Sequence, residues 1–295
     1  NPKFIQPEHR KNEILGFLRK PLNDLCISRP KSRLNWGIEL PFDSNYVTYV
    51  WFDALINYIS SLGYGTDEAS FKKWWPASYH LIGKDILTTH AVYWPTMLMS
   101  LGIELPQSIF AHGWWLMGES KMSKSLGNVI NPMDLIDDYG VDPVRYYLMR
   151  EMVLGQDSNF TMESFIQRYN SDLANDFGNL LSRVSTLMKK NYGGKIPEPG
   201  ELTEAESSIK SNGESLGEKV NEKIEGMRLN EAIEEIMQYI RSVNKYMEAT
   251  APWKLVKDDK DAAGRVLYTA GEALRIGAVL LSPVMPNRTA ILLDV

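Results

Sequence analysis

Two lysines lie close to serines in one short stretch of the chain. The stretch spans residues 118–127, begins and ends with glycine, and contains Lys121 and Lys124 beside Ser123 and Ser125. Flanking glycines favour a flexible loop, and ammonium and hydroxyl groups are the donors that a triphosphate needs when charge builds on its oxygens during transfer. At about 4 Å, one lysine stabilises such an oxygen by on the order of 4 kcal/mol at an effective dielectric of about 20. The spacing alone is more typical of a solvated surface turn, so the surrounding residues decide whether this stretch is a phosphate-binding loop.

The residues that follow extend this stretch into a longer signature. Residues 121–125 read KMSKS, and the run continues with LGNVINP at 126–132 and DPVRYYL at 142–148. The whole run resembles the second signature of the class I aminoacyl-tRNA synthetases. The resemblance implies that Lys121 and Lys124 are catalytic and that Lys124 stabilises the departing pyrophosphate while an aminoacyl-adenylate forms. It also implies an ATP-binding loop made of Lys121, Met122, Ser123, Lys124 and Ser125.

Two further stripes of residues together suit an apolar amino-acid side chain. One stripe has helical spacing i, i+4, i+7 and the other i, i+4, i+8. Their members are Trp51, Leu55, Tyr58, Ile86, His90 and Trp94. Each stripe alone is typical of a helix face in the core, but together they provide an aromatic box with one polar ring. A thioether suits that box, because a sulfur–aromatic contact contributes about 0.3–1.5 kcal/mol.

The strings that carry these stripes resemble the methionyl-tRNA synthetases. They read YVWFDALINY at 49–58 and HLIGKDI at 80–86, and the string PLNDLCISR at 21–29 resembles that family too. The resemblance implies that the six stripe residues line a methionine side-chain pocket. The family also carries proline at the position of Leu55, which makes that contact less secure.

The same resemblance implies a site for the ribose of ATP at Gly83 and Asp85. A glycine lets the sugar approach the backbone, and a carboxylate accepts hydrogen bonds from both ribose hydroxyls. Asp85 also suits the N-cap of the helix that follows, and one residue can serve both roles. In the same family, a strand ends beside the adenine of ATP, and the residues of this chain that match that strand end are His112, Gly113, Trp114 and Trp115.

Three residues near the carboxyl end are candidates for RNA recognition. Asn179 and Arg183 lie one helical turn apart and point away from the neighbouring apolar stripe, where they can bond splayed-out bases. Trp253 can stack on a base, which contributes about 1–3 kcal/mol. Without context, these residues are typical of a solvated helix face and a core anchor. The string DLANDFGNLLSR at 172–183 resembles the anticodon-reading helix of the methionyl family, which implies that all three contact a CAU anticodon.

The elements that position these residues follow from apolar spacing. Predicted strands at Tyr46–Phe52, Tyr79–Ile82 and Gln107–Ala111 alternate with helices, one from Asp53 to Leu62 and one from Ile86 to about Ser100. This alternation predicts a parallel α/β sheet, whose ligands bind at the carboxyl ends of its strands. Helix starts are predicted at Asn131 and Asp142, each followed directly by proline.

From about residue 162 the pattern becomes helical throughout, which predicts a bundle. One apolar stripe runs from Ile166 through Leu180 and Val184 to Leu187, two later stripes end at prolines, and Thr203–Lys223 is a weaker, polar helix. The fold class is therefore α/β then all-α. With the resemblance, the domains are the second half of a Rossmann-like catalytic domain, the KMSKS loop with connecting stem-contact helices, and an anticodon-binding bundle. Their predicted bounds are 1–115, 116–164 and 165–295.

Composition narrows the class of protein. The chain has 295 residues, is 44% hydrophobic and 23% charged, and carries a net charge of −5. It resembles an average globular protein, with apolar runs too short for a membrane span and without a strongly basic footprint for nucleic acid. A single cysteine excludes an internal disulfide and a cysteine-rich zinc site, and four scattered histidines predict no metal site. The cysteine count suits a cytoplasmic location, with an organellar form left open.

Part of the family pattern is absent. The first signature of the family, His-Ile-Gly-His or a close variant, has no counterpart in the 295 residues, and neither do the cysteines of its zinc knuckle. The resemblance thus covers only the second half of the catalytic domain plus most of the bundle. We therefore expect a truncated part that forms methionyl-adenylate poorly by itself, because half a parallel sheet exposes an apolar edge and face.

The resemblance implies a definite reaction, with alternatives. ATP and methionine give methionyl-adenylate, Mg²⁺ accompanies the triphosphate, and methionine is then transferred to initiator or elongator methionine tRNA with a CAU anticodon. One alternative is a leucine-, isoleucine- or valine-type synthetase, against which the aromatic box argues. Another is a non-catalytic tRNA-binding module, which would account for the absent signature but would leave KMSKS, Gly83 and Asp85 superfluous.

Overall fold

The chain folds as two compact units. The structure, a computed structural model, describes residues 1–118, 120–121 and 130–294. The units are Asn1–Trp114 and Trp115–Val295. The first mixes strands and helices and the second is mainly helical, so the predicted fold class is confirmed.

A three-stranded parallel sheet forms one part of the first unit. β6 (Ser108–His112) lies in the middle, between β1 (Ile5–Gln6) and β5 (Tyr79–Gly83). The sequence predicted β5 and β6 to within one residue but did not predict β1, because two residues carry no recognisable alternation. The buried apolar side chains of the sheet pack against Ile14 of α1 (Glu8–Leu18).

The predicted strand Tyr46–Phe52 is wrong at its carboxyl end. The strand stops at Thr48, and α2 (Val50–Ser60) begins two residues later. An unbroken apolar run does not distinguish a strand from a buried helix, and here the helical spacing prevails because it buries Leu55 and Ile59. The strand also belongs to a separate, antiparallel sheet. In the order of that sheet, its strands are β2 (Ser28–Pro30), β4 (Asp43–Thr48) and β3 (Glu39–Leu40).

A second core of the first unit lies between α2 and the helices that follow it. Trp94 and Leu98 pack there with the buried face of α2, and neither is exposed. The helical run after β5 starts as a 3₁₀ turn, continues as a π-helical stretch and ends as an α-helix, close to its predicted bounds. The elements are α3 (Glu68–Trp74), the 3₁₀ turn Lys84–Ile86, the π-helix Thr89–Tyr93 and α4 (Trp94–Leu101).

The second unit opens with a small sheet and two helices. β7 (Trp115–Met117) pairs antiparallel with β8 (Ser120–Lys121) and parallel with β9 (Ser158–Asn159). α5 (Pro132–Tyr139) and α6 (Val141–Glu151) pack beside it around a cluster of aromatic side chains.

The predicted bundle completes the second unit. Its first helix is continuous but contains a π-helical middle, whose wider turns shift the buried face. Leu180 and Val184 are therefore buried as predicted, whereas Ile166 is 41% exposed and Phe165 is buried instead. The elements are α7 (Met162–Arg168), the π-helix Tyr169–Gly178, α8 (Asn179–Tyr192), α9 (Glu204–Glu225), α10 (Leu229–Thr250), α11 (Pro252–Leu255), α12 (Lys260–Leu281) and α13 (Pro286–Leu293). Within the described ranges, every helix is too short or too polar to cross a membrane.

Candidate functional site

Aromatic rings from α2 and the helical run after β5 meet in the first unit. The hydroxyl of Tyr58 lies 3.0 Å from Nε2 of His90, and the ring of Trp51 meets His90 edge-on, with 6.0 Å between centroids. The ring of Trp94 lies 6.0 Å from that of Tyr58. Leu55 packs in the same core and is buried. Five of the six predicted pocket residues are thus brought together.

Ile86 contributes to this group through its backbone. Its side chain packs against the core of the parallel sheet. Its carbonyl oxygen, however, lies 2.9 Å from Nδ1 of His90. A carbonyl oxygen only accepts, so Nδ1 carries the proton and Nε2 of the neutral ring accepts from the hydroxyl of Tyr58. Burial lowers the pKa of His90, which keeps the ring uncharged at neutral pH.

His80, which the sequence analysis did not single out, connects two of these rings. The indole Nε1 of Trp94 donates to Nε2 of His80 at 3.1 Å, and the ring of His80 lies 4.3 Å from that of Tyr58. Burial, with a contribution from His90, lowers the pKa of His80 to about 4, so this ring is neutral too. The available signal was strand alternation, which places His80 on the same buried face of β5 as Ile82.

The predicted nucleotide residues of the first unit lie at neighbouring strand ends. Gly83 of β5 pairs with His112 of β6, and Gly113 follows directly. A Cβ on Gly83 would lie 2.6 Å from Oδ1 of Asp85, so only glycine leaves that carboxylate in place. The indole of Trp114 donates to the same oxygen at 3.3 Å. Asp85 is an exposed residue.

The other predicted ATP residues belong to the second unit. The ring of Trp115 packs against Tyr147, with centroids 5.8 Å apart, and against Phe160. Trp115 is half-buried and packs against the aromatic core of that unit. β8 ends at Lys121. The side chain of Lys121 and residues Met122, Ser123, Lys124 and Ser125 lie outside the described residues.

Two of the three predicted anticodon residues are in direct contact. The guanidinium of Arg183 lies over the indole of Trp253, 4.7 Å from the ring centroid. Asn179 lies one turn earlier on α8, is exposed, and donates to the side chain of Asn175 at 3.5 Å. A second missed residue, Glu248, pairs with Arg183. The sequence does not indicate a role for Glu248, because many exposed glutamates lie near the end of a helix.

The site chemistry of the described residues rests on rings, amides and charged side chains. Within the described ranges, no group of three or more His, Cys, Asp or Glu side chains is placed to hold a metal ion.

Comparison with known proteins identifies the class to which this chain belongs. Residues 1–185 match the family model of the class I tRNA synthetases (M). Residues 196–295 match that of the anticodon binding domain of methionyl tRNA ligase. The chain is therefore a class I tRNA synthetase sequence, and within that class it belongs to the methionyl family. The predicted resemblance is confirmed, whereas the bounds 1–115, 116–164 and 165–295 stay predictions.

Individual relatives agree with this assignment. The methionine–tRNA ligase of Caldanaerobacter subterraneus subsp. tengcongensis is 47% identical over 97% of this chain and 45% of its own length. That of Clostridium tetani is 49% identical, with the same coverage of both chains. A solved structure of Mycobacterium tuberculosis methionyl-tRNA synthetase in complex with methionyl-adenylate matches with a TM-score of 0.96 and 42% identity, over 100% of this chain and 58% of that one. The chain thus spans about half the length of the curated relatives it matches.

Proposed function

We propose that this chain is part of a methionine–tRNA ligase that converts ATP and methionine to methionyl-adenylate and then transfers methionine to the terminal ribose of a methionine tRNA. The observation that carries the proposal is the cluster of uncharged rings formed by Trp51, Tyr58, His90 and Trp94. Membership of the methionyl family supports the same reaction.

The proposed pocket selects methionine by its neutral, polarizable side chain. Contacts between sulfur and aromatic rings favour a thioether over an aliphatic chain of similar size. The hydroxyl of Tyr58, held by His90, fixes the polar edge of the pocket. A leucine, isoleucine or valine pocket gains nothing from such a cluster, so the rings support methionine over that alternative.

The nucleotide half of the proposal rests on the strand ends of the first unit. Asp85 accepts from the ribose hydroxyls of ATP, Gly83 leaves room for the sugar, and His112 and Gly113 lie beside the adenine. Mg²⁺ comes with the substrate, because a hard cation is bound by triphosphate oxygens. The proposed triphosphate loop is Lys121, Met122, Ser123, Lys124 and Ser125. Trp115, half-buried against Tyr147, is the remaining proposed ATP residue.

The proposed RNA partner is initiator and elongator methionine tRNA with a CAU anticodon. Arg183 and Asn179 present hydrogen-bonding groups on one helix face, and Trp253 presents an aromatic ring beside them. These are the groups that bind unstacked bases of a single-stranded loop.

We further infer that catalysis needs protein beyond these 295 residues. The chain spans about half of its relatives, and the first family signature is absent from it. Tyr79 and Leu81 on one face of β5 are 44% and 58% exposed, although parallel strands are normally covered on both faces. A non-catalytic tRNA-binding module would account for the absent signature as well, and the activity assay below distinguishes the two.

The test is amino-acid-dependent pyrophosphate exchange by the full-length protein that carries this sequence. Methionine should drive exchange, and leucine, isoleucine and valine should not. Lys124→Ala should lower the rate by about 100-fold or more, because it removes the charge that stabilises departing pyrophosphate. Lys72→Ala, at an exposed position of α3, is the matched control and should leave the rate unchanged. Exchange driven by a branched amino acid, or an unchanged rate in Lys124→Ala, would contradict the proposal. The expected cytoplasmic location is tested separately, by cell fractionation.

A further inference from the structure

Trp75 packs behind the proposed methionine pocket, against Trp94 and His80. Its ring meets that of Trp94 edge-on, with 6.2 Å between centroids and 81° between planes, and its centroid lies 6.1 Å from that of His80. Trp94 is fully buried and also contacts Tyr58, which is one of the predicted pocket residues. Trp75 therefore occupies space into which Trp94 would otherwise recede when a longer ligand entered the pocket.

The indole of Trp75 is fixed by a hydrogen bond and by a stacking contact. Its Nε1 donates to the carbonyl oxygen of Glu104 at 2.8 Å, and its ring stacks on Phe71, with 6.1 Å between centroids and 16° between planes. The amide of Trp75 also ends α3 by donating to the carbonyl of Phe71, and the side chain of Asp67 caps the start of that helix. These contacts hold Trp75 in one orientation, so it is a rigid support for Trp94.

Resting on the methionine pocket proposed above, we propose that Trp75 is a positioning residue that limits, through Trp94, the length of the thioether side chain that the pocket accepts. Protein interiors are close-packed, so a pocket wall recedes only where the layer behind it leaves space. One methylene group changes the fit to an apolar pocket by about 10-fold to 200-fold. That discrimination requires a wall that keeps its position. With Trp75 behind Trp94, the pocket accepts methionine and rejects ethionine, which is one methylene longer.

The neighbouring Trp74 provides a matched control within the chain. It is 59% exposed, and the ammonium of Lys73 lies 4.8 Å from its ring centroid. Trp75 has the same side chain and the next position in the sequence, but it is only 8% exposed. The same substitution therefore removes the same atoms from an exposed place at Trp74 and from the support of the pocket wall at Trp75.

The experiment measures pyrophosphate exchange by the full-length protein with methionine and with ethionine. The wild type should prefer methionine by about 100-fold in kcat/KM. Trp75→Phe keeps an aromatic ring but removes more volume than one methylene, so Trp94 gains room to recede and the preference should fall to about 10-fold. The change should appear as a lower KM for ethionine, while kcat with methionine and the KM for ATP stay unchanged. Trp74→Phe should keep the preference of the wild type.

A second variant loosens the support without replacing Trp75. Phe71→Leu removes the stacking partner of Trp75 and should lower the preference for methionine about threefold. Circular dichroism checks that each variant is folded. The wild-type preference in a folded Trp75→Phe, or in Phe71→Leu if Trp75→Phe does not fold, would overturn the inference while leaving methionine as the substrate. An equal fall in Trp74→Phe would do the same. No exchange with methionine by the wild type would instead overturn the proposed function.

Discussion

At the scale of single residues, His80 and Glu248 act on the candidate sites through their neighbours. His80 accepts from the indole of Trp94 and packs against Tyr58, and Glu248 holds Arg183. The sequence predicted the ring residues because they lie at helical spacing within short strings. The sequence did not indicate a role for His80 or Glu248, because only the fold brings each of them near the residues that it contacts.

A first prediction concerns the link between His80 and Trp94. In the full-length protein, His80→Leu should raise the KM for methionine about 10-fold and leave the KM for ATP unchanged, because the indole N–H loses its acceptor inside the pocket wall. His80→Gln keeps an acceptor and should restore the KM to within about twofold. The exposed His9, changed to leucine, is the control and should change neither constant. Equal increases in both KM values would contradict an effect confined to the methionine site.

The same histidine predicts a pH dependence of stability. The pKa of His80 is about 4 in the folded chain against its usual 6.5, so the unfolded chain binds more protons between these values. The free energy of unfolding therefore rises with pH in that window. The contribution of His80 to it is fully present above about pH 6.5 and is lost as the pH falls towards about 4. The melting temperature should fall in mild acid, and less steeply in His80→Gln, which cannot titrate. Identical acid profiles for the two proteins would contradict this.

At the scale of elements, Asp142 shows how tertiary structure can redirect a local signal. Asn131 caps α5 as predicted, by accepting from the amide of Met133. Asp142 was predicted to cap α6, but that helix begins at Val141. The buried carboxylate of Asp142 instead accepts from the amide of Arg288 at 2.6 Å, at the start of α13. An aspartate–proline pair indicates that a helix start is near but not which helix the side chain caps.

Asp142→Ala should consequently destabilise the second unit. It leaves the amide of Arg288 in α13 without its acceptor at a partly buried position, which costs about 1–2 kcal/mol. Chemical denaturation of the chain, followed by circular dichroism, measures the loss. Asp138→Ala, at an exposed position of α5, should change stability by less than about 0.5 kcal/mol. Equal effects of the two substitutions would show that the contact to α13 contributes nothing.

At the scale of the whole molecule, the predictable parts are those with long periodic patterns. The bundle helices are of this kind, whereas β5 and β6 were predictable as short apolar runs. The two-residue strand β1 and the π-helical middle of the first bundle helix left no such pattern. Short strands and shifted helical phase are set by packing against distant residues, which a local pattern does not contain.

The last prediction concerns the catalytic competence of the 295-residue chain. It contains candidate pocket and ribose residues but lacks the first family signature, so the triphosphate would be contacted from one side only. Pyrophosphate exchange with methionine should therefore be at least about 1000-fold slower than for the full-length protein, a loss of about 4 kcal/mol of transition-state stabilisation. The chain should still bind an RNA hairpin with a CAU loop, because the candidate anticodon residues all lie between Asn179 and Trp253. Exchange at the full-length rate would show that these residues alone assemble the active site and would refute the inference that further protein is needed.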